Sequence, residues 1–254
     1  MPGPASMNLT SVLAAACVAL ASLPASAGEF AVSPVRMEFT GAARSQLLSV
    51  TNAGDTPARF LVRGAGWTMS EEGAVQLSED DALVVFPASF TLAPKASQNI
   101  RVGTAQRPAE IERTWRVVLE ELPDATAAAR SGATINVLSM ISVPVFMPPA
   151  APRKDMQLAW AGATGGKANI TLANGGNAHE LVGAVTVAAM QGGTTLPAAR
   201  VEGWYVLPGK RRAFTLEQAT PWCAPGVTGF ELVAADVNGQ ALARRTVDAA
   251  EACR

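Results

Sequence analysis

His179 is the only histidine in the 254-residue chain, so any Ser-His-Asp relay would have to use it. It stands in "GGNAHEL", residues 175–181, a turn leading into a strand, and its expected state is that of a solvated turn residue. Glu120 and Glu121 are the nearest thing to an acid pair, but neighbours on a strand point to opposite faces and do not converge. "AGATGGKA", residues 161–168, approaches a phosphate loop. Ala161 replaces its first glycine, Ala168 replaces the hydroxyl residue that would hold magnesium, and no helix is expected to follow. Cys223 and Cys253, even with His179, are too few for a structural zinc site without carboxylates. These residues predict no catalytic site, no metal and no cofactor, and the chain reads as a non-enzyme.

The charge balance excludes other classes. Lys and Arg number 20 against 21 Asp and Glu, for a net charge of -1, and they are scattered. No basic stripe suits nucleic acid, and no polybasic cluster suits an anionic membrane. The first charged residue is Glu29, preceded by the apolar run "SVLAAACVALASL" and by Ala25-Ser26-Ala27, a small-x-small cleavage pattern. Residues 1–27 are expected to be a cleaved secretory signal, although no Lys or Arg precedes the apolar run. A lipoprotein signal ending at Cys17 is the alternative. No later run reaches the roughly 18 to 20 apolar residues of a spanning helix, so no stable membrane insertion is expected. In an oxidising compartment the remaining Cys223 and Cys253 predict a disulfide; two separate buried thiols are the alternative.

Positioning elements come next. Short runs rich in Val, Leu, Ile, Thr and Phe alternate with Gly, Pro, Asn and Asp, which predicts strands and turns throughout. Seven such runs between residues 31 and 146, "AVSPVRMEF" to "INVLSMISVPVF", fit an immunoglobulin-like sandwich. "MPPAAPRKD" breaks the pattern and reads as a stiff linker, after which strands resume. The expected organisation is all-β: a first sandwich over 28–147, a proline-rich hinge over 148–155 and a second, smaller sandwich over 156–254.

"INVLSMISVPVF", residues 135–146, is too apolar for one domain to use both faces. Ile135, Val137, Ser139, Ile141 and Val143 share one face; Leu138, Met140 and Phe146 lie on the other. If Leu138, Met140 and Phe146 fill the domain's own core, then Ile135, Val137, Ile141 and Val143 are left for a partner.

Here the residues carry a resemblance. "FAVSPVRMEF", "FPASFTLAPKASQNIRVG", "TWRVVLEELP", "ISVPVFMPPA" and "GWYVLPGKRRAFTL" together resemble periplasmic pilus-assembly chaperones of the PapD type, over nearly the whole mature length. The resemblance implies two immunoglobulin-like domains in a boomerang arrangement and a periplasmic location. It implies a partner, a pilus subunit lacking its last strand, to which the chaperone lends strand G before release at an outer-membrane usher, without ATP. Neither a nucleic acid nor a small-molecule substrate is implied. On this reading Ile135, Val137, Ser139, Ile141 and Val143 are the donor strand. The family also clamps the subunit's C-terminal carboxylate with two cations. Arg36 in "PVRMEF" matches the first; Pro144 stands where the second, a lysine, is expected, and Pro148 stands where the hinge arginine is expected. Arg101 and Arg116, on neighbouring expected strands, are candidates for the missing charge; the alternative makes them strand-surface arginines or partners of Glu120 and Glu121. A self-associating adhesive protein that pairs through the same strand is the competing reading.

Overall fold

The computed structural model describes residues 30–40, 43–123 and 137–253. Ile135 therefore lies outside the described residues, as do the expected signal segment and Cys17. The first ten strands are β1 (Phe30–Ser33), β2 (Met37–Glu38), β3 (Ser45–Asn52), β4 (Ala58–Met69), β5 (Val75–Ser78), β6 (Val84–Phe86), β7 (Ser89–Leu92), β8 (Ser97–Gly103), β9 (Arg113–Leu122) and β10 (Met140–Met147). They form two sheets, β1-β3-β8-β6 and β2-β10-β9-β4-β5, with β7 added on β4. The run expected as one first strand is divided. β1 pairs antiparallel with β3, and β2 crosses to the other sheet and pairs parallel with β10. Pro34 lies at that break, where a residue without an N–H removes no ladder bond. Alternating buried residues of both sheets, among them Leu48, Val50, Phe60, Ile100, Trp115 and Val117, fill the core.

Beyond residues 148–155 the chain forms β11 (Met156–Thr164), β12 (Lys167–Asn174), β13 (Glu180–Gln191), β14 (Thr194–Thr195), β15 (Ala199–Glu202), β16 (Tyr205–Val206), β17 (Arg211–Glu217), β18 (Val227–Asp236), β19 (Ala241–Asp248) and a terminal turn of helix, α1 (Ala249–Ala252). One sheet is β11-β12-β17; the other is β14-β13-β18-β19, with β15 and β16 also on β13. The architecture is all-β, two immunoglobulin-like sandwiches. The near-match to a phosphate loop is the hairpin between β11 and β12.

Both sandwiches use one local device. Asn52 ends β3 fully buried; its Nδ2 donates to the carbonyls of Thr56 (2.7 Å) and Leu92 (3.3 Å), and its Oδ1 accepts from the Gly54 N–H (2.9 Å). Asn174 ends β12 in the same way, donating to Ala178 (2.8 Å) and Val206 (2.9 Å) and accepting from Gly176 (2.9 Å). A buried side-chain amide is tolerated only when its bonds are made, so each Asn-x-Gly fixes the following turn and the sheet-to-sheet spacing.

Cys223 and Cys253 are joined by a disulfide. It pins α1 to the loop before β18, where the Trp160 Nε1 donates to the Ala252 carbonyl (3.1 Å) and the Trp160 ring stacks on Phe230 at 4.5 Å. The bond closes a loop of separation 30. Replacing both cysteines with serine is expected to lower unfolding free energy by about 3–4 kcal/mol on the chain-entropy account. Urea denaturation with and without reductant checks this; a midpoint insensitive to reductant would contradict it.

Candidate functional site

The site is built on β10 and its neighbours. β10 is bonded along its whole length to β9, from Met140↔Glu120 to Met147↔Arg113. On its other side β2 covers only Val145 and Phe146. Met140 to Pro144 is thus a free sheet edge among the described residues. The parity of that edge follows from two bonds. The Ser139 carbonyl accepts from the Glu121 N–H (2.9 Å), on the β9 side, and the Phe146 carbonyl accepts from the Phe39 N–H (2.8 Å), on the β2 side. Odd residues therefore turn their backbone groups toward β9, and even residues turn them outward. The edge presents N–H groups at Met140 and Ser142 and none at Pro144, which fits here because its missing N–H breaks no bond to β9.

The side chains correct the expected facing. Val143 is 2 % exposed and Val145 fully buried in the first sandwich's own core, with Ile141 packed against them. Their β9 partners, Val117 opposite Val143 and Trp115 opposite Val145, belong to the same core. From Ile141 onward the face assigned to a partner is the inward face. Ser139 turns its backbone to Glu121, donating its N–H to that carboxylate at 2.9 Å. The even side chains are open only toward the start of the strand, where Met140 is 70 % and Leu138 44 % exposed; Pro144 and Phe146 farther along are buried. Val137 is 89 % exposed, although of inward parity, because it precedes the strand proper. Phe146, expected in the domain core, is instead buried in a cluster between the sandwiches with Trp67, Met69, Tyr205 and Leu207.

The arginines lie on this even face. Pro144 pairs with Arg116 on β9, and the parallel register Val145↔Met37 sets Arg36 beside Pro144 on its other side. The proline that replaces an expected lysine is flanked by two arginines, about two strand spacings, or ~10 Å, apart at the backbone. The Arg36 guanidinium lies 5.7 Å from the Phe146 ring centre and pairs with Glu38 at 2.8 Å. Both members of that pair are partly exposed, so the pair is weak and exchangeable. Burial pulls the Arg36 pKa down, but Glu38 and Tyr205 outweigh it and leave it raised. Arg116 is 5 % exposed and lies 4.2 Å over the Trp67 ring. Its Nη1 donates to the Ser142 carbonyl (3.3 Å) and hydroxyl (3.2 Å), while Nε and Nη2 are buried without a hydrogen-bond partner. Burial lowers its pKa, and Tyr205 partly offsets that. Glu120 pairs with Arg63 rather than with Arg116. Arg101 is not part of this group: it lies exposed on β8, in the other sheet, 3.4 Å from the Ser45 hydroxyl.

The interdomain cleft beside Arg36 has a volume of about 350 Å³, and Glu38, Glu112, Lys154, His179 and Glu180 also line it. His179 is not a solvated turn residue. Its side chain is 10 % exposed, stacks on Phe146 at 3.8 Å, and places Nδ1 2.8 Å from the Glu112 carboxylate, which also accepts the His179 N–H at 2.8 Å. Glu112 and His179 tie the two sandwiches together although Pro148 replaces the expected hinge arginine. The sequence places Leu138 and Met140 in the core and gives no role to Glu112, Trp67 or Tyr205; their positions depend on register and on contacts far apart in sequence.

Residues 29–153 match the family model for the pili and flagellar-assembly chaperone, PapD N-terminal domain. The first sandwich is a PapD-type chaperone N-terminal domain. No curated sequence matches the chain. Solved chaperones share the fold of both sandwiches at low identity. A chain of the CsuC–CsuE chaperone–tip adhesion subunit pre-assembly complex of Acinetobacter baumannii is 15 % identical, with a TM-score of 0.57 over 87 % of this chain and 98 % of that one. The YadV chaperone is 11 % identical, with a TM-score of 0.58 over 87 % and 100 %. The class 5 fimbriae chaperone CfaA is 14 % identical, with a TM-score of 0.55 over 86 % and 98 %.

Proposed function

We propose that this chain is a periplasmic chaperone that captures incomplete pilus subunits by strand addition and passes them to an outer-membrane usher without nucleotide hydrolysis. The observation that carries the reading is the free edge of β10, with outward N–H groups at Met140 and Ser142 beside exposed Leu138 and Met140. An extended segment added there gains main-chain bonds, and an apolar groove in the client covers the side chains. Leu138 and Met140 are the donors in this reading, in place of Ile141 and Val143. Burying each of the two gains about 1.5–3 kcal/mol. Arg36 and Arg116 are the carboxylate clamp. A client C-terminus displaces Glu38 from Arg36 and, once the side chains covering them move aside, meets the buried, unpartnered Nε and Nη2 of Arg116, a charge-assisted arrangement. The family match supports the client class, and the described A. baumannii relative is named as a chaperone in complex with a tip subunit.

Co-expression with a pilus subunit that lacks its own last strand tests the reading. The expected product is a one-to-one complex that survives gel filtration, formed without added nucleotide. A subunit that aggregates or is degraded in the presence of the chain would contradict it. A tight dimer of the chain alone, abolished by Met140→Asp, would favour self-association through the same edge.

A further inference from the structure

The two clamp arginines belong to the first sandwich, but the ring between them belongs to the second. Tyr205 opens β16, opposite Leu181 on β13, and is 5 % exposed. Its ring stands edge-on to Trp67 at 5.5 Å and tilted against Phe146 at 5.4 Å. Trp67 is the ring beneath Arg116, and Phe146 is the ring beneath Arg36. His179, stacked on Phe146, and Trp204 both meet Tyr205 edge-on, at 5.4 Å and 5.1 Å, so the phenol ring is held on several sides. Tyr205 thus packs against both of the rings on which the two guanidiniums lie, and its phenol favours the charged form of each arginine. A guanidinium has five N–H donors and no acceptor. The hydroxyl oxygen can accept from the arginines, but its own proton has to go to something else. Among the described residues no carboxylate or carbonyl takes it.

We infer that Tyr205 is the third donor of the carboxylate clamp, giving its O–H to the client's C-terminal carboxylate between Arg36 and Arg116. This rests on the capture reading above and deepens it: the anchor is complete only when both sandwiches contribute. A client carboxylate would then bridge the domains at the cluster where Phe146, His179 and Tyr205 meet. Recognition of a free chain end would depend on the interdomain contact as well as on strand G.

The test uses the full chain and two probes: an acetylated decapeptide of alternating valine and threonine with a free C-terminal carboxylate, and the same peptide ending in an amide. Binding is followed by titration calorimetry for the wild type and for Tyr205→Phe, which keeps the ring and removes only the hydroxyl. The wild type is expected to prefer the acid. Tyr205→Phe is expected to cut that preference about tenfold, with amide affinity and melting temperature unchanged. An unchanged acid-to-amide ratio overturns the inference and leaves the two-arginine clamp standing. An equal loss on both peptides assigns Tyr205 to packing and also overturns it. If the wild type shows no acid preference, or does not bind the acid peptide, the clamp fails together with the inference.

Discussion

Leu138→Asp combined with Met140→Asp is expected to abolish client capture while leaving the chaperone folded. Both side chains are exposed in the free chain, so the substitutions remove little of its own packing. Surface changes of this kind usually stay within about 0.5 kcal/mol per site. In the complex each aspartate would enter an apolar groove, where an unpaired carboxylate costs several kcal/mol. Two of them should lower affinity by at least a few hundredfold, measured as loss of the co-purified subunit at an unchanged melting temperature. Retained capture would remove the two residues from the donor set. Ile141→Asp would be a poor version of this experiment, because Ile141 packs on the first sandwich's own core. Val143→Asp should unfold the domain outright, since that side chain is 2 % exposed.

Arg116→Met separates function from stability in the other direction. The Arg116 guanidinium is buried, has two nitrogens without a hydrogen-bond partner, and faces no carboxylate among its hydrogen bonds. Its desolvation cost is several kcal/mol. Stacking on Trp67 and the bonds to Ser142 recover part of that, with a desolvated cation–π contact contributing about 2 kcal/mol. Methionine fills similar volume without the charge. The free chain should therefore change by no more than about 1–2 kcal/mol in either direction. Capture should fall much further. Removing one partner of a buried charge pair costs about 2–5 kcal/mol, roughly thirty- to several-thousand-fold in affinity. Arg101→Met, in the other sheet, is the control and should leave capture unchanged. Equal capture by Arg116→Met and wild type would take Arg116 out of the clamp.

Much of the architecture is legible in the sequence, because alternation, turn residues and the proline-rich break are local. The proposed donor face is not local. "INVLSMISVPVF" is apolar on both faces, and alternation alone cannot say which face turns inward. The register with β9 decides it by setting Val143 opposite Val117 and Val145 opposite Trp115. The even face is apolar for a separate reason: Phe146 is needed between the domains. The proposed clamp shows the same limit. Arg36 stands in a readable motif, whereas Arg116 joins it only because an antiparallel pairing brings residue 116 beside Pro144. His179 looks like a turn residue because its burial comes from Glu112 and Phe146, partners remote in sequence.

Residue-resolved amide hydrogen exchange of β10, with and without a bound subunit, is the most direct test of strand lending. In the free chain Ile141 and Val143 should already be protected by β9, while Met140 and Ser142 exchange fast at the open edge. Binding is predicted to slow Met140 and Ser142 by at least a hundredfold. A stable complex in which those two amides exchange as fast as before would contradict the account.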